Sequence, residues 1–202
     1  GTSYSITATS QLLSVPYALH AKTAESIVVG GTGGGGFTHY IGEQFGGGVI
    51  FHLWKDAQGV EHGLIVDKTD LSTSQAWSNI TNLLIGASAQ SRWDGLSNSN
   101  AIVGQAGHTS SAAALCLNST NGGESDWYLP SILELNMLWN NYYTVARSLT
   151  QISGATQLQT LNRYWSSTEG GDSTAWFFIF SSAVANSTIK ASTWYVRAVR
   201  AF

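Results

Sequence analysis

Few residues in this 202-residue chain stand where they could do chemistry. His52 and His62 lie on the two arms of an apparent hairpin and could face each other across it. Two imidazoles with neither a third ligand nor a nearby carboxylate make a poor metal site. Glu124 with Asp126, and Asp94 beside Trp93, come nearest to the carboxylate pair a glycosidase needs. Turn chemistry and ion pairs to Arg197 or Arg200 explain those acids better. Cys116 is the only cysteine, so no internal disulfide can form. It sits in the apolar run Ala112-Ala-Ala-Leu-Cys-Leu, where a thiol is buried structure rather than nucleophile. No Ser-His-Asp order stands out. The expectation is a non-enzyme without cofactor or bound metal.

The elements that would position a site are clearest in the last forty residues. Tyr164-Trp-Ser-Ser-Thr-Glu169, Ala175-Trp-Phe-Phe-Ile-Phe180 and Tyr195-Val-Arg-Ala-Val-Arg-Ala-Phe202 are rich in aromatic and β-branched residues, and polar loops separate them. They predict three strands. Two arginines in an otherwise apolar terminal strand imply guanidiniums paired inside the domain. Glu134, Glu169 and Asp126 are the first candidate partners for Arg197 and Arg200.

Composition excludes several classes of partner. Charged residues make up 10% of the chain, against roughly 25% in an ordinary soluble domain. Nine dispersed basic residues and a net charge of −3 give no electrostatic footprint for nucleic acid. The same balance argues against heavily sulfated polymers. No stretch is long enough to span a membrane. Ser, Thr, Asn and Gly carry solubility alongside eight tryptophans and eight tyrosines, a composition common on extracellular fibres and sugar-binding modules. The initial Gly predicts a processed product or the C-terminal piece of a longer protein.

Taken in order, residues 1–10 favour extended structure, and Ser10 could cap a helix from Gln11 to about Ser26. Leu12, Leu13, Val15 and Tyr17 make that helix too apolar to stand alone. Gly30 to Gly36 reads as a flexible joint. Residues 1–36 are therefore expected to be an oligomerisation segment and linker, and residues 37–202 a head. In the head, Tyr40 to Trp54 and His62 to Asp67 predict a hairpin turning at Lys55-Asp-Ala-Gln-Gly59. Ser72 to about Leu84 is expected to be helical with Trp77 facing in. Asn98 to Leu117 predicts a second helix, unbroken or broken at Gly104 to Gly107. Ser131 with Glu134 forms a capping box, opening a helix that buries Ile132, Leu135, Leu138 and Trp139. Tyr142 to Arg163 predicts a loop with some helix.

Ser125-Asp-Trp-Tyr-Leu-Pro-Ser131, Tyr164-Trp-Ser-Ser-Thr-Glu169, Ala175-Trp176 and Tyr195-Val-Arg-Ala-Val-Arg200, in that order, resemble the C-terminal domain of the Lcl-type collagen-like adhesins. Gly46-Gly-Gly-Val-Ile-Phe51 and His62-Gly-Leu-Ile-Val66 are similar to its opening hairpin. The resemblance covers about residues 38–202. It implies an α+β, C-type-lectin-like fold, close to that of formylglycine-generating enzymes and of variable proteins diversified by retroelements. Formylglycine chemistry needs two cysteines, and this chain has one. Ser10 to Glu25 resembles a segment preceding head domains in surface and phage-fibre proteins of Bacteroidetes-type bacteria. The chain lacks a collagen repeat, and it also lacks the Glu-Pro-Asn, Gln-Pro-Asp and Trp-Asn-Asp motifs of calcium-dependent lectins.

Together these readings predict an extracellular receptor-binding head, on a bacterial surface or a phage tail fibre, that forms a homotrimer through residues 1 to about 30. Its partner would be a cell-surface receptor or glycan; nucleic acid and membrane insertion are not expected. The alternatives are a structural trimerisation cap of a surface fibre and an enzyme related to formylglycine-generating oxidases. Ligand contacts are expected from Asp172, Thr174, Phe177, Ser182, Asn186, Thr188, Thr193 and Trp194, in loops joining the C-terminal strands. Trp127, Glu134, Trp165, Glu169, Trp176, Arg197 and Arg200 are expected to form the frame. Between Glu169 and Tyr195, every residue except Trp176, Lys190 and Trp194 can arise by adenine-directed mutagenesis of an Asn codon, as in a diversified surface.

Overall fold

The structure, a computed structural model, describes residues 36–202. The expected N-terminal helix, the joint before Gly36 and the trimer interface lie outside the described residues. Residues Phe37–Phe202 form one compact unit.

The glycine cluster starts the fold. Gly46 and Gly47 both have positive φ (50° and 82°) and make a two-residue turn between β1 (Gln44–Phe45) and β2 (Gly48–Lys55), a conformation that glycine tolerates. β2 returns through Asp56–Gly59 to β3 (Glu61–Asp67), the expected hairpin. Its register pairs His62 with Trp54 and His52 with Leu64, so the two histidines do not face each other. A bulge at Phe51 separates the pair Ile50–Ile65 from the pair His52–Leu64. The extra residue inverts the alternation downstream of it. Val49 and Phe51 pack into one core cluster, and beyond the bulge His52 and Trp54 share the face of Leu64, which belongs to that cluster.

Ser72–Ala76 is a strand, β4, not a helix. Trp77 is buried as expected. Its backbone N–H donates to the Lys190 carbonyl and its own carbonyl accepts from Ala112 N–H. Its indole donates to the Ser166 carbonyl at 2.8 Å. These distant partners override the local helical pattern. The second expected helix is two: α1 (Gly95–Val103), capped by Asp94, and α2 (Ala112–Leu117), capped by Ser111. Ser131 and Glu134 form the expected capping box on α3 (Ile132–Asn140). Ile132, Leu135 and Leu138 are buried, whereas Trp139 sits at the margin with its indole donating to the Phe180 carbonyl. The stretch from Tyr142 contains α4 (Tyr142–Leu149).

β5 (Arg163–Glu169), β6 (Thr174–Ile179), β7 (Val184–Ile189) and β8 (Thr193–Val196) complete a five-stranded sheet of order β4-β8-β5-β6-β7. Only β5 with β8 is parallel. The terminal run is not one strand. It breaks at Arg197-Ala198, and β9 (Val199–Ala201) joins the other sheet, of order β1-β2-β3-β9. The opening hairpin and the chain end thus lie in one sheet, in an α+β domain.

Arg197 fills the break, only 1% exposed. Its Nε donates to Asp70 at 2.7 Å, one terminal nitrogen to the Asp67 carbonyl, and the other to the carbonyl and hydroxyl of Thr156. Arg200 takes the expected partner Asp126 and also Glu124. Asp70 was not among the candidates, and Glu134 and Glu169 bind elsewhere. Removing the Arg197 side chain strands a buried carboxylate and two backbone acceptors. Arg197→Ala is expected to lose about 3–5 kcal/mol in urea denaturation. Arg200→Ala should lose less, because Glu124 and Asp126 reach solvent.

Candidate functional site

The eight expected contact residues do not converge. Asp172 lies in the turn before β6 and Ser182 in the turn after it, at opposite ends of that strand. The span expected to be loop, Ser181 to Thr193, contains β7 and the start of β8. Register pairs Phe177 with Asn186 and Ala175 with Thr188, so Phe177, Asn186 and Thr188 share one face. Thr174 belongs to the opposite face of β6. Phe177 is only 6% exposed and belongs to a core cluster, so it is frame rather than free contact. Trp194 is half-buried, and Thr193, beside it, is exposed. Five of the six residues of β7 are exposed, and the strand is the sheet's outer member.

The frame residues hold this surface from beneath. Trp165 and Trp127 are fully buried, with indoles donating to the carbonyls of Gln75 and Asn121. Trp176 is half-buried with the Arg92 guanidinium 5.6 Å from its ring centroid. Glu169 accepts from Ile85 N–H, Gly86 N–H and, at 2.7 Å, the Lys190 ammonium. Lys190 is 0% exposed and also donates to the carbonyls of Leu83 and Asp172. This pair fastens three loops together at one end of the β6–β7 hairpin. Lys190 escaped the sequence reading as a frame residue, although it is the only lysine after Lys68.

Arg163 also escaped it. Its guanidinium lies over Trp194 at 4.4 Å and over Phe177 at 5.1 Å. Among the described residues no carboxylate or carbonyl accepts from it. The Trp194 indole N–H beside it is buried without an acceptor. Stacking on two rings fixes the fork, and its donors remain uncommitted. Phe177 and Trp194 thus hold a preset cation, and Asn186 and Thr188 lie farther along the same face.

A separate concavity of about 210 Å³ lies against the first sheet, lined by His52, Trp54, Leu64, Trp93, Glu134 and Met137. Trp54 stacks with His52 (centroids 5.7 Å apart) and with His62 (5.4 Å). Glu134 accepts from the Tyr128 hydroxyl at 2.9 Å and from Ser131 N–H at 2.6 Å. Burial raises its carboxyl above the ordinary 4.5, against those two hydrogen bonds. Burial likewise holds the His52 imidazole below the ordinary 6.5. Cys116 is buried and its thiol is pushed well up by burial, in keeping with a structural role. Among the described residues no group of three or more His, Cys, Asp or Glu could hold a metal ion. No described helix is long and apolar enough to cross a membrane.

The depressed His52 value has a pH consequence. The unfolded imidazole takes a proton near pH 6.5 while the folded one resists it until lower pH. Its stability contribution is full above 6.5 and is lost as pH falls through the folded value. Melting temperature measured from pH 7.5 to 5 should therefore fall more in the native chain than in His52→Gln. Equal slopes would show that His52 titrates freely.

A family model described as the Lcl C-terminal domain matches residues 67–200. No curated protein matches the chain in sequence. Among solved structures, a fimbrial protein from Bacteroides ovatus ATCC 8483 is similar, with a TM-score of 0.61 and 16% identity. The match covers 77% of this chain and 44% of that one, so this chain spans less than half the length of the fimbrial protein. That likeness is one of fold.

Proposed function

The chain belongs to the Lcl C-terminal domain family, and from that premise we propose that it is a non-enzymatic, extracellular recognition head on a bacterial surface. The family's resemblance to adhesins and the fold shared with a fimbrial protein support the location. The fold would be a C-type-lectin-like variant, a reading supported by the meeting of first and last strands in one sheet.

The observation that carries a binding role is Arg163. A half-buried guanidinium normally finds acceptors within its own domain. This one is held between two aromatic rings and leaves its fork to a ligand. Planar bidentate donors match a carboxylate. Asn186 and Thr188, on the same face, add neutral polar contacts for hydroxyls or amides. The ligand would be a single carboxylate-bearing unit of a cell-surface glycan or protein. A densely sulfated polymer would need a broader positive field than nine dispersed basic residues provide. The exposed residues of β7 contribute little to the core, so their variation is cheap in stability, whether or not a retroelement drives it.

The test is a glycan array bearing neutral, sialylated and uronate-containing oligosaccharides, probed with the intact chain with and without calcium. Binding should favour acidic glycans and need no calcium. Arg163→Leu and Arg163→Lys should each weaken it roughly tenfold or more with small changes in melting temperature. Full binding by both variants would move the site elsewhere.

The proposal includes a homotrimer, supported by the apolar sequence from Leu12 to Tyr17. In light scattering the whole chain should run as a trimer and a chain of residues 37–202 as a monomer. A shorter chain that stays trimeric would place the interface in the head, and a monomeric whole chain would remove it.

A further inference from the structure

We propose that the concavity formed by His52, Trp54, Trp93 and Glu134 is a second binding site, for one neutral pyranose ring of a glycan, separate from the Arg163 face. It lies against the β2–β3 hairpin, in the other sheet, and stands whether or not the Arg163 reading holds.

Its construction is specific. The bulge at Phe51 turns His52 and Trp54 to the face that carries Leu64. Without that shift, Phe51 and Leu53 would occupy this face of β2, and neither the His52 imidazole nor the Trp54 indole would reach the concavity. Bulges commonly re-aim side chains in this way beside binding sites. Glu134 and Met137, one turn apart on α3, close a second side. Trp93, just before α1, supplies the rim.

The chemistry on offer fits a sugar. Trp93 is 71% exposed and Trp54 38%, whereas Trp77, Trp127 and Trp165 are fully buried. The Trp54 ring already stacks with His52 and His62, so the exposed Trp93 indole offers the flat apolar surface for the C–H face of a pyranose. Among the described residues, neither the ring nitrogens of His52 nor the indole N–H groups of Trp54 and Trp93 bond to protein. Each can serve a hydroxyl. Glu134, 4% exposed, is held by Tyr128 and Ser131, yet each carboxylate oxygen keeps a second acceptor site. Leu64 and Met137 provide an apolar floor.

Size and polarity narrow the class further. At about 210 Å³ the space is below the roughly 300–1,000 Å³ of sites that enclose a drug-sized ligand, so it takes one ring and leaves the chain outside. Aromatic walls with a carboxylate would also draw an organic cation. Burial disfavours charge of either sign there, raising Glu134 and lowering His52. A neutral ring with hydroxyls suits such a place better.

The test is titration of the full chain with methyl glycosides of glucose, galactose, mannose and N-acetylglucosamine, with tetramethylammonium as the cationic control. Indole N–H resonances provide the readout. At least one glycoside is expected to bind, shifting the Trp54 and Trp93 resonances. Trp93→Ala, on the exposed rim, should weaken binding roughly tenfold without lowering the melting temperature, and His52→Ala should weaken it as well. Arg163→Leu should leave this binding unchanged, which separates the two sites. The proposal is overturned if no glycoside binds at tens of millimolar, if binding survives both Trp93→Ala and His52→Ala, or if tetramethylammonium shifts those resonances and no glycoside does.

Discussion

The domain depends on how the chain crosses between its two sheets at Arg197-Ala198. A crossing in the interior leaves backbone carbonyls without ladder partners, and each must find a donor. Arg197 supplies several from one side chain. It reaches Asp70, the Asp67 carbonyl at the end of β3, and Thr156 in the segment before β5. Replacing it by an apolar residue would take a charged donor from all three at once. A guanidinium suits this place where an ammonium does not, because its donors diverge in a plane and never lose their charge. The pairing of β3 with β9 and of β4 with β8 rests on that corner.

The same logic extends along β5. Ser166, Ser167, Thr168 and Glu169 are buried, yet none is an isolated polar group. Asn98 donates to the Ser167 hydroxyl, Thr168 joins the Ser91 carbonyl to Ile132 N–H, and Glu169 holds Lys190. A polar motif inside a core is expensive unless complete. Here it ties the starts of α1 and α3 to the central strand and anchors the loops around the hairpin. Charge is thus spent inward: among the described residues, the basic side chains of Lys190, Arg197 and Arg200 are buried.

Much of this frame was legible in sequence, because it rests on local chemistry. The hairpin showed in its glycines and turn, α3 in its capping box, and the arginine pairing in the cost of an unpaired cation. β7 was not legible. Val184-Ala-Asn-Ser-Thr-Ile189 carries no clean alternation, since an outer strand exposed along its length has no hydrophobic face to mark it. β4 failed for a related reason, its state being decided by pairing with the distant strand β8. The terminal run looks like one strand in sequence because a change of sheet leaves no compositional trace. Arg163 gave no signal, since its ring partners come from two other strands. The concavity under Trp54 depends on one bulge residue that inverts alternation, and only pairing reveals such a residue. In sequence Trp93 is marked only by the neighbouring acid Asp94, whereas the exposed indole is what distinguishes it.

Cys116 brings a practical benefit. As the sole cysteine, sealed in the core with its thiol pushed far from ionisation, it will be slow toward maleimides and other thiol reagents while the domain is folded. A cysteine introduced at any exposed position would then be the one reactive handle on the molecule. Fluorophores, spin labels or a tether to a force probe could be placed residue by residue around the head with no native thiol to remove first. Accidental modification of Cys116 would in turn report that the core had opened.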